Sequence, residues 1–203
     1  MRPLPELNAP ALILASTSSY RRALLERLGL PFEVVAPDVD ETPLPGEAPV
    51  LTALRLAACK AAAVVPAADG ALIIGSDQVA VLDARPLGKP GDHAAAVSQL
   101  RAMRGQRVVF HTALCLLNAA SGRKQLENVP TSVYFRNFSD AQIEHYLRAE
   151  QPYDCAGSAK IEGLGIALVE RIESDDPTAL IGLPLMKLVG MLQNEGIEVI
   201  PER

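Results

Sequence analysis

Short apolar runs alternate along this chain with segments of helical period, and no other feature restricts the fold as much. Residues 11–15, 32–35, 71–75, 79–82, 108–118, 131–135 and 166–172 read as strands. Between and after them, residues 51–65, 92–103, 139–147 and 185–194 carry helical patterns, and Leu24, Leu25 and Leu28 mark an earlier helix stopped by Gly29. Strands interleaved with helices throughout define an α/β class with a mixed β-sheet and flanking helices. Residues 36–49, APDVDETPLPGEAP, and the turn-rich PLGKP at 86–90 are predicted to be loops.

No internal repeat and no clean linker divides the chain, so one domain over residues 1–203 is expected. At 49% apolar residues the chain can bury a core without disulfides or a structural metal. Acidic residues outnumber basic ones 24 to 19, giving a net charge of −5. That balance argues against holding a nucleic acid polymer by bulk electrostatics, so any anionic ligand must meet a local cluster of cations. Cys59, Cys115 and Cys155 form no CxxC pair, which suits a reduced, cytoplasmic chain. The opening residues MRPLPELNAP lack the apolar stretch of a signal peptide, and no run approaches the ~20 residues of a membrane span, so no membrane partner is expected.

Four segments carry candidate chemistry. Ser16-Thr17-Ser18-Ser19-Tyr20-Arg21-Arg22 ends a strand and begins a helix, where free N–H groups and two guanidinium groups suit an anion. Such hydroxyl clusters also serve simply as helix caps. Asp38, Asp40 and Glu41 place three carboxylates in a Pro-rich loop, which suits a hard divalent ion or merely a solvated acidic face. Ser76-Asp77-Gln78 follows the run ALIIG, which predicts Asp77 at a strand terminus, where α/β folds commonly place their sites. There it can hold Mg²⁺, accept a proton from water, or cap a turn. Lys89, in LGKP, offers a point charge, but the spacing of a P-loop is absent. His93, His111 and His145 are scattered without HExxH, and neither GxSxG nor GxGxxG occurs.

Taken together these segments resemble the Maf family of nucleoside triphosphate pyrophosphatases. The matching stretches are LILASTSSYRRALLERLGLPFEVVAPDVDET, RLAACKA, IIGSDQV, LGKP, CAGSAKIEGLGIALVERI and IGLPL, in consistent order over residues 11–195. The resemblance implies two lobes around an elongated nucleotide-binding cleft. It also implies hydrolysis of the α–β phosphoanhydride of a nucleoside triphosphate with Mg²⁺ or Mn²⁺, and it suggests a homodimer. On that basis Ser16, Arg21, Arg22, Lys60 and Lys89 are expected to bind the phosphates. Asp77 is the expected general base, and Glu41 with Asp77 the expected metal ligands.

Three positions are similar to the 7-methyl-GTP pyrophosphatase subgroup: Tyr20 before Arg21, Gln78 where the dTTP/UTP subgroup has Thr, and Glu162 where that subgroup often has Gln. Tyr20 would stack on a methylated, cationic guanine, and Glu162 would accept its N1–H and N2–H donors. Two positions depart from the pattern. Ser19 replaces the Pro common before the aromatic residue, and Tyr20 stands where Trp also occurs. The rival within the class is a dTTP/UTP pyrophosphatase. The rival outside it is a nucleotide-binding regulator of cell division without turnover, which would have no need of a base at Asp77.

Overall fold

The computed structural model of the chain describes residues 10–67 and 70–201, so the opening segment 1–9 lies outside the described residues. Seven strands form one mixed sheet: β1 (Leu12–Ala15), β2 (Glu33–Val35), β3 (Leu72–Leu82), β4 (Arg85–Leu87), β5 (Arg107–Asn118), β6 (Lys124–Phe135) and β7 (Val169–Ser174). Five helices flank it: α1 (Ser19–Glu26), α2 (Pro49–Ala63), α3 (His93–Met103), α4 (Asp140–Glu150) and α5 (Leu185–Gln193). The strand order is β2-β1-β3-β5-β6-β7, with β4 hairpinned onto β3. β2, β1 and β3 are parallel, and the pairings from β3 to β7 are antiparallel.

Alternation along β1 decides which helix covers which face. Leu12 and Leu14 pack with Leu24 and Leu25 of α1 and with Leu188 and Met191 of α5. Ile13 and Ala15 point the other way, onto Ala53, Ala57 and Ala61 of α2. The chain thus leaves β1 toward β2 on one face and reaches β3 across the other. The carboxyl end of β1 is therefore a topological switch point, where α/β sheets open a crevice. A third cluster builds the second lobe at the far end of β3, β5 and β6, where Leu100 and Met103 of α3 and Ile143 and Leu147 of α4 cover Phe110, Val133 and Phe135.

Several sequence expectations shift. β3 does not stop before Ser76-Asp77-Gln78; it runs through them for 11 residues. The antiparallel partner β5 continues past that point, pairing Asp77 with Ala113, while β1 pairs only as far as Gly75. Asp77 therefore sits mid-strand, beside the end of its neighbour rather than at its own. The PLGKP loop is in part β4, because Pro86 and Leu87 pair with Val81 and Ala80. The strand expected over 166–172 is a 3₁₀ segment, Leu164–Leu168, followed by β7. Among the described residues no helix is long and apolar enough to cross a membrane.

Gly75 permits the approach of α2 to β3. A Cβ there would overlap the Ala57 carbonyl oxygen and lie 2.8 Å from the Ala61 nitrogen, backbone atoms that cannot rotate away. Gly75→Ala is expected to destabilise the fold by about 1–3 kcal/mol, lowering Tm by several degrees. Gly190, inside α5, has nothing within 4 Å of an added Cβ, so Gly190→Ala is expected to leave Tm unchanged or raise it. Differential scanning calorimetry of the two variants checks this pair, and an equal response at both sites would contradict it.

Candidate active site

Between the lobes, at the carboxyl end of β1, lies a cleft of about 620 Å³, within the range of small-ligand sites. Ser16, Tyr20 and Arg21 line it from the β1–α1 corner, Lys60 from α2, and Asp77 and Gln78 from β3. Glu41, Lys89 and Glu162 reach it from three loops. Arg22 does not join them; its exposed guanidinium pairs with Glu26 one turn along α1, at 3.1 Å.

The centre of the cleft is an ion triad, a buried Lys60–Asp77 pair joined by the more exposed Glu41. Lys60 Nζ donates to Asp77 Oδ1 and to Glu41 Oε1, each at 2.7 Å. Lys60 is 5% exposed and Asp77 6%, so each offsets part of the cost of burying the other's charge. Lys60, expected to bind phosphate, gives two of its three N–H donors to these carboxylates and keeps one. Burial pushes the Asp77 carboxyl above its ordinary value, and Glu41 adds to the rise, against the opposing pull of Lys60 and Arg21. Burial also raises Glu41, but the hydrogen bond and charge of Lys60 outweigh it and hold Glu41 below the usual carboxylate value. One fold therefore separates two carboxylates on a shared cation into a better and a poorer proton acceptor.

Glu41 is held in place by residues the sequence reading did not single out. Arg55 of α2 donates to Glu47 through Nε at 2.7 Å and Nη2 at 2.8 Å, and Nη2 also reaches the Thr42 carbonyl at 3.2 Å. Glu47 further accepts from Thr52 Oγ1 and the Leu44 N–H. This fork ties the acidic loop to the helix that carries Lys60. Asp40 turns back onto the Thr42 N–H at 2.9 Å, as a local turn rather than a ligand group.

At the phosphate-facing corner, Ser16 is buried and its Oγ accepts the Ser18 N–H at 3.1 Å, leaving its own proton free to be donated. Ser18, not Ser16, caps α1. Arg21 Nε donates to the Gly182 carbonyl at 2.9 Å. Its two terminal nitrogens remain available for an anion. Lys89 is exposed on a loop that Gln99 of α3 holds by donating to Gly88 O at 3.0 Å.

The cleft also carries aromatic and acidic groups. Tyr20 lies beside Asp154 and Cys155. Burial, with those neighbours, pushes its hydroxyl up to about 12, and burial likewise takes the Cys155 thiol to about 12, so both are neutral near pH 7. Gln78 is occupied: its Nε2 donates to Thr112 Oγ1, Ala179 O and Leu180 O at 2.8–3.1 Å. The loop around Glu162 is held by Glu150, which accepts the Leu164 N–H at 2.6 Å and pairs with Lys160 at 3.0 Å.

Among the described residues no group of three or more His, Cys, Asp or Glu could cage a metal. The donor set nonetheless fits a divalent ion that arrives with a polyphosphate. Glu41 and Asp77 each give one oxygen to Lys60 and keep one, and Mg²⁺ commonly takes one or two carboxylates plus substrate phosphates.

Glu47 supplies a pH test of the latch. Its hydrogen bonds from Arg55 hold its pKa at about 2 in the folded chain, against an ordinary 4.5. A depressed carboxylate stabilises the fold fully above its unfolded pKa and ceases to do so as pH falls through its folded one. The stability gap between wild type and Glu47→Gln in urea is expected to be constant above about pH 5 and to close toward pH 2. A gap independent of pH would show that Glu47 acts by shape alone.

Comparisons with known proteins agree with the geometry. The family model described as Maf-like protein matches residues 11–195. A protein of Cupriavidus metallidurans named 7-methyl-GTP pyrophosphatase is 62% identical over 187 residues, covering 92% of this chain and 94% of the relative. One of the same name from Thiobacillus denitrificans is 62% identical over 193 residues, covering 95% of this chain and 96% of the relative. A third, from Ralstonia nicotianae, is 62% identical over 185 residues, covering 91% and 95%.

Proposed function

The chain belongs to the Maf-like protein family, and on that premise we propose that it hydrolyses 7-methyl-GTP to 7-methyl-GMP and pyrophosphate. The observation that carries this reading is the Glu41–Lys60–Asp77 triad in a cleft that is also lined by Ser16, Arg21 and Lys89, groups suited to phosphate, and by Tyr20, Gln78 and Glu162, groups suited to a base. The names of the relatives from three organisms support the choice of nucleotide.

In this reading Asp77 accepts the proton of the attacking water. Burial raises its pKa and so makes it a stronger base than an ordinary aspartate, against the opposing pull of Lys60 and Arg21. Lys60 holds the Asp77 oxygen in place and balances its charge. Arg21, Lys89 and the Ser16 hydroxyl hold the triphosphate, which resolves how a chain of net charge −5 retains a polyanion. Glu41 and Asp77 would hold the divalent ion through their remaining oxygens; when bound, it neutralises charge developing on the phosphate oxygens. Arg22, paired with Glu26 outside the cleft, takes no part.

Base choice follows from Tyr20, Glu162 and Gln78. A neutral Tyr20 ring gains about 0.5–2 kcal/mol over a cationic base when the two stack. Glu162 can accept two guanine N–H bonds, which thymine and uracil do not present as a pair. Gln78 contributes indirectly: its amide nitrogen is spent on the Ala179 and Leu180 carbonyls, so it shapes the wall of the pocket. The chain is proposed to work as a cytoplasmic homodimer acting on small nucleotides, as a single domain.

Incubation of the protein with 7-methyl-GTP, GTP, dTTP and UTP in Mg²⁺, with products resolved by anion-exchange chromatography, tests the reading. Fastest turnover of 7-methyl-GTP is expected, with release of pyrophosphate. Asp77→Asn is expected to lose about 10²–10⁴-fold in kcat while still binding nucleotide. Release of orthophosphate, or preference for dTTP, would overturn the assignment, and near-normal kcat in Asp77→Asn would remove Asp77 as base.

A further inference from the structure

We propose that Asp176 is a positioning residue. Its buried carboxylate sets the backbone of residues 178–182 so that the Gly182 carbonyl orients Arg21 in the cleft. The inference rests on the phosphate-binding role proposed above for Arg21.

Asp176 is 1% exposed, and among the described residues it has no ion-pair partner. Four donors satisfy it instead. Oδ1 accepts from the Thr178 N–H at 3.0 Å and the Thr178 hydroxyl at 2.7 Å. Oδ2 accepts from the Met186 N–H at 2.7 Å and the Lys187 N–H at 3.3 Å. A carboxylate removed from water without a cation requires donors on both oxygens. Met186 and Lys187 lie in the first turn of α5, whose N-cap residue, Pro184, makes no capping side-chain bond. Asp176 therefore caps α5 from a distance and closes residues 176–187 into a ring. Thr178 tightens that ring, its Oγ1 lying 2.8 Å from the Leu183 carbonyl and accepting the Leu185 N–H at 2.8 Å.

The ring turns three carbonyls toward the site. Gly182 O accepts from Arg21 Nε and from the buried Ser76 hydroxyl, both at 2.9 Å. Ala179 O accepts from Thr112 and Gln78, and Leu180 O from Gln78. Gly182 adopts a φ of 119°, a conformation that side-chain-bearing residues rarely take, and an added Cβ there would lie in ordinary contact with Arg21 Nε at 3.4 Å. Fixing Arg21 through Nε aims its terminal nitrogens and removes rotamer entropy that anion binding would otherwise have to overcome. The carboxylate has no neutral isostere here, because both its ends receive N–H or O–H donors. An amide must turn a donor toward one of them.

The test uses inorganic tripolyphosphate as probe, which carries no base and requires no turnover. Its Kd is measured by calorimetry for wild type, Asp176→Asn, Arg21→Ala and the double variant, with Tm recorded for each. Asp176→Asn is expected to weaken binding by about 5–20-fold in wild type and by less than about 2-fold on the Arg21→Ala background, the signature of two residues acting through one group. Thr178→Val, which breaks the same ring, is expected to show the same pattern and replaces Asp176→Asn should that variant not fold. Independent, multiplying losses would overturn the proposal. So would a lowered Tm with unchanged Kd, which would make Asp176 a cap of α5 only, or wild-type affinity in Arg21→Ala. Failure to hydrolyse 7-methyl-GTP would sink the reading of function and leave this result standing.

Discussion

The site depends on one buried ammonium shared by two carboxylates. Lys60 is nearly inaccessible, and an uncompensated charge in such a place costs several kcal/mol. The fold supplies its partners from separate directions, Asp77 from the middle of β3 and Glu41 from the loop ahead of α2. For the three groups to meet, α2 must lie almost against β3, and Gly75 removes the side chain that would prevent it. Glu41 must also be kept from drifting in its loop, and the Arg55–Glu47 fork does that from the same helix. Packing, backbone permissiveness and electrostatics thus converge on one side chain.

Around that centre the cleft carries two chemistries: hydroxyl, guanidinium and ammonium groups from Ser16, Arg21 and Lys89, and a neutral phenol and carboxylates from Tyr20, Asp154 and Glu162. The loop after β7 reaches two of the lining residues. Its Gly182 carbonyl receives Arg21, and its Ala179 and Leu180 carbonyls receive Gln78. A substitution at Gln78 would thus be felt beyond its own contact surface, which gives the Gln-or-Thr difference between subgroups a structural route.

Much of this was legible in the sequence, for identifiable reasons. The α/β class followed from periodicity, because helix and strand periods are set by backbone geometry. Nine of the ten candidate residues line one cleft. What escaped the sequence depended on partners distant along the chain. The continuation of β3 through Ser76 to Gln78 is enforced by β5, in which Ala113 pairs with Asp77. Arg21 and Arg22 look alike in sequence, yet adjacent helical positions face about 100° apart, so one meets Gly182 and the other Glu26. The burial of Lys60 between two acids, and the hold of Glu150 on Lys160 and the Leu164 N–H, are set by tertiary distances that no local pattern encodes.

Lys60 opposes the burial that raises the Asp77 pKa. Carbon-13 NMR titration of the Asp77 carboxyl, in wild type and in Lys60→Met, tests this directly and needs no catalytic turnover. The wild-type midpoint should lie above the ordinary aspartate value of 3.8. Loss of the ammonium should move it further up, since desolvation would then act unopposed by its nearest cation. A midpoint that stays put or falls in Lys60→Met would show that the triad does not govern Asp77, and the mechanism built on it would fail.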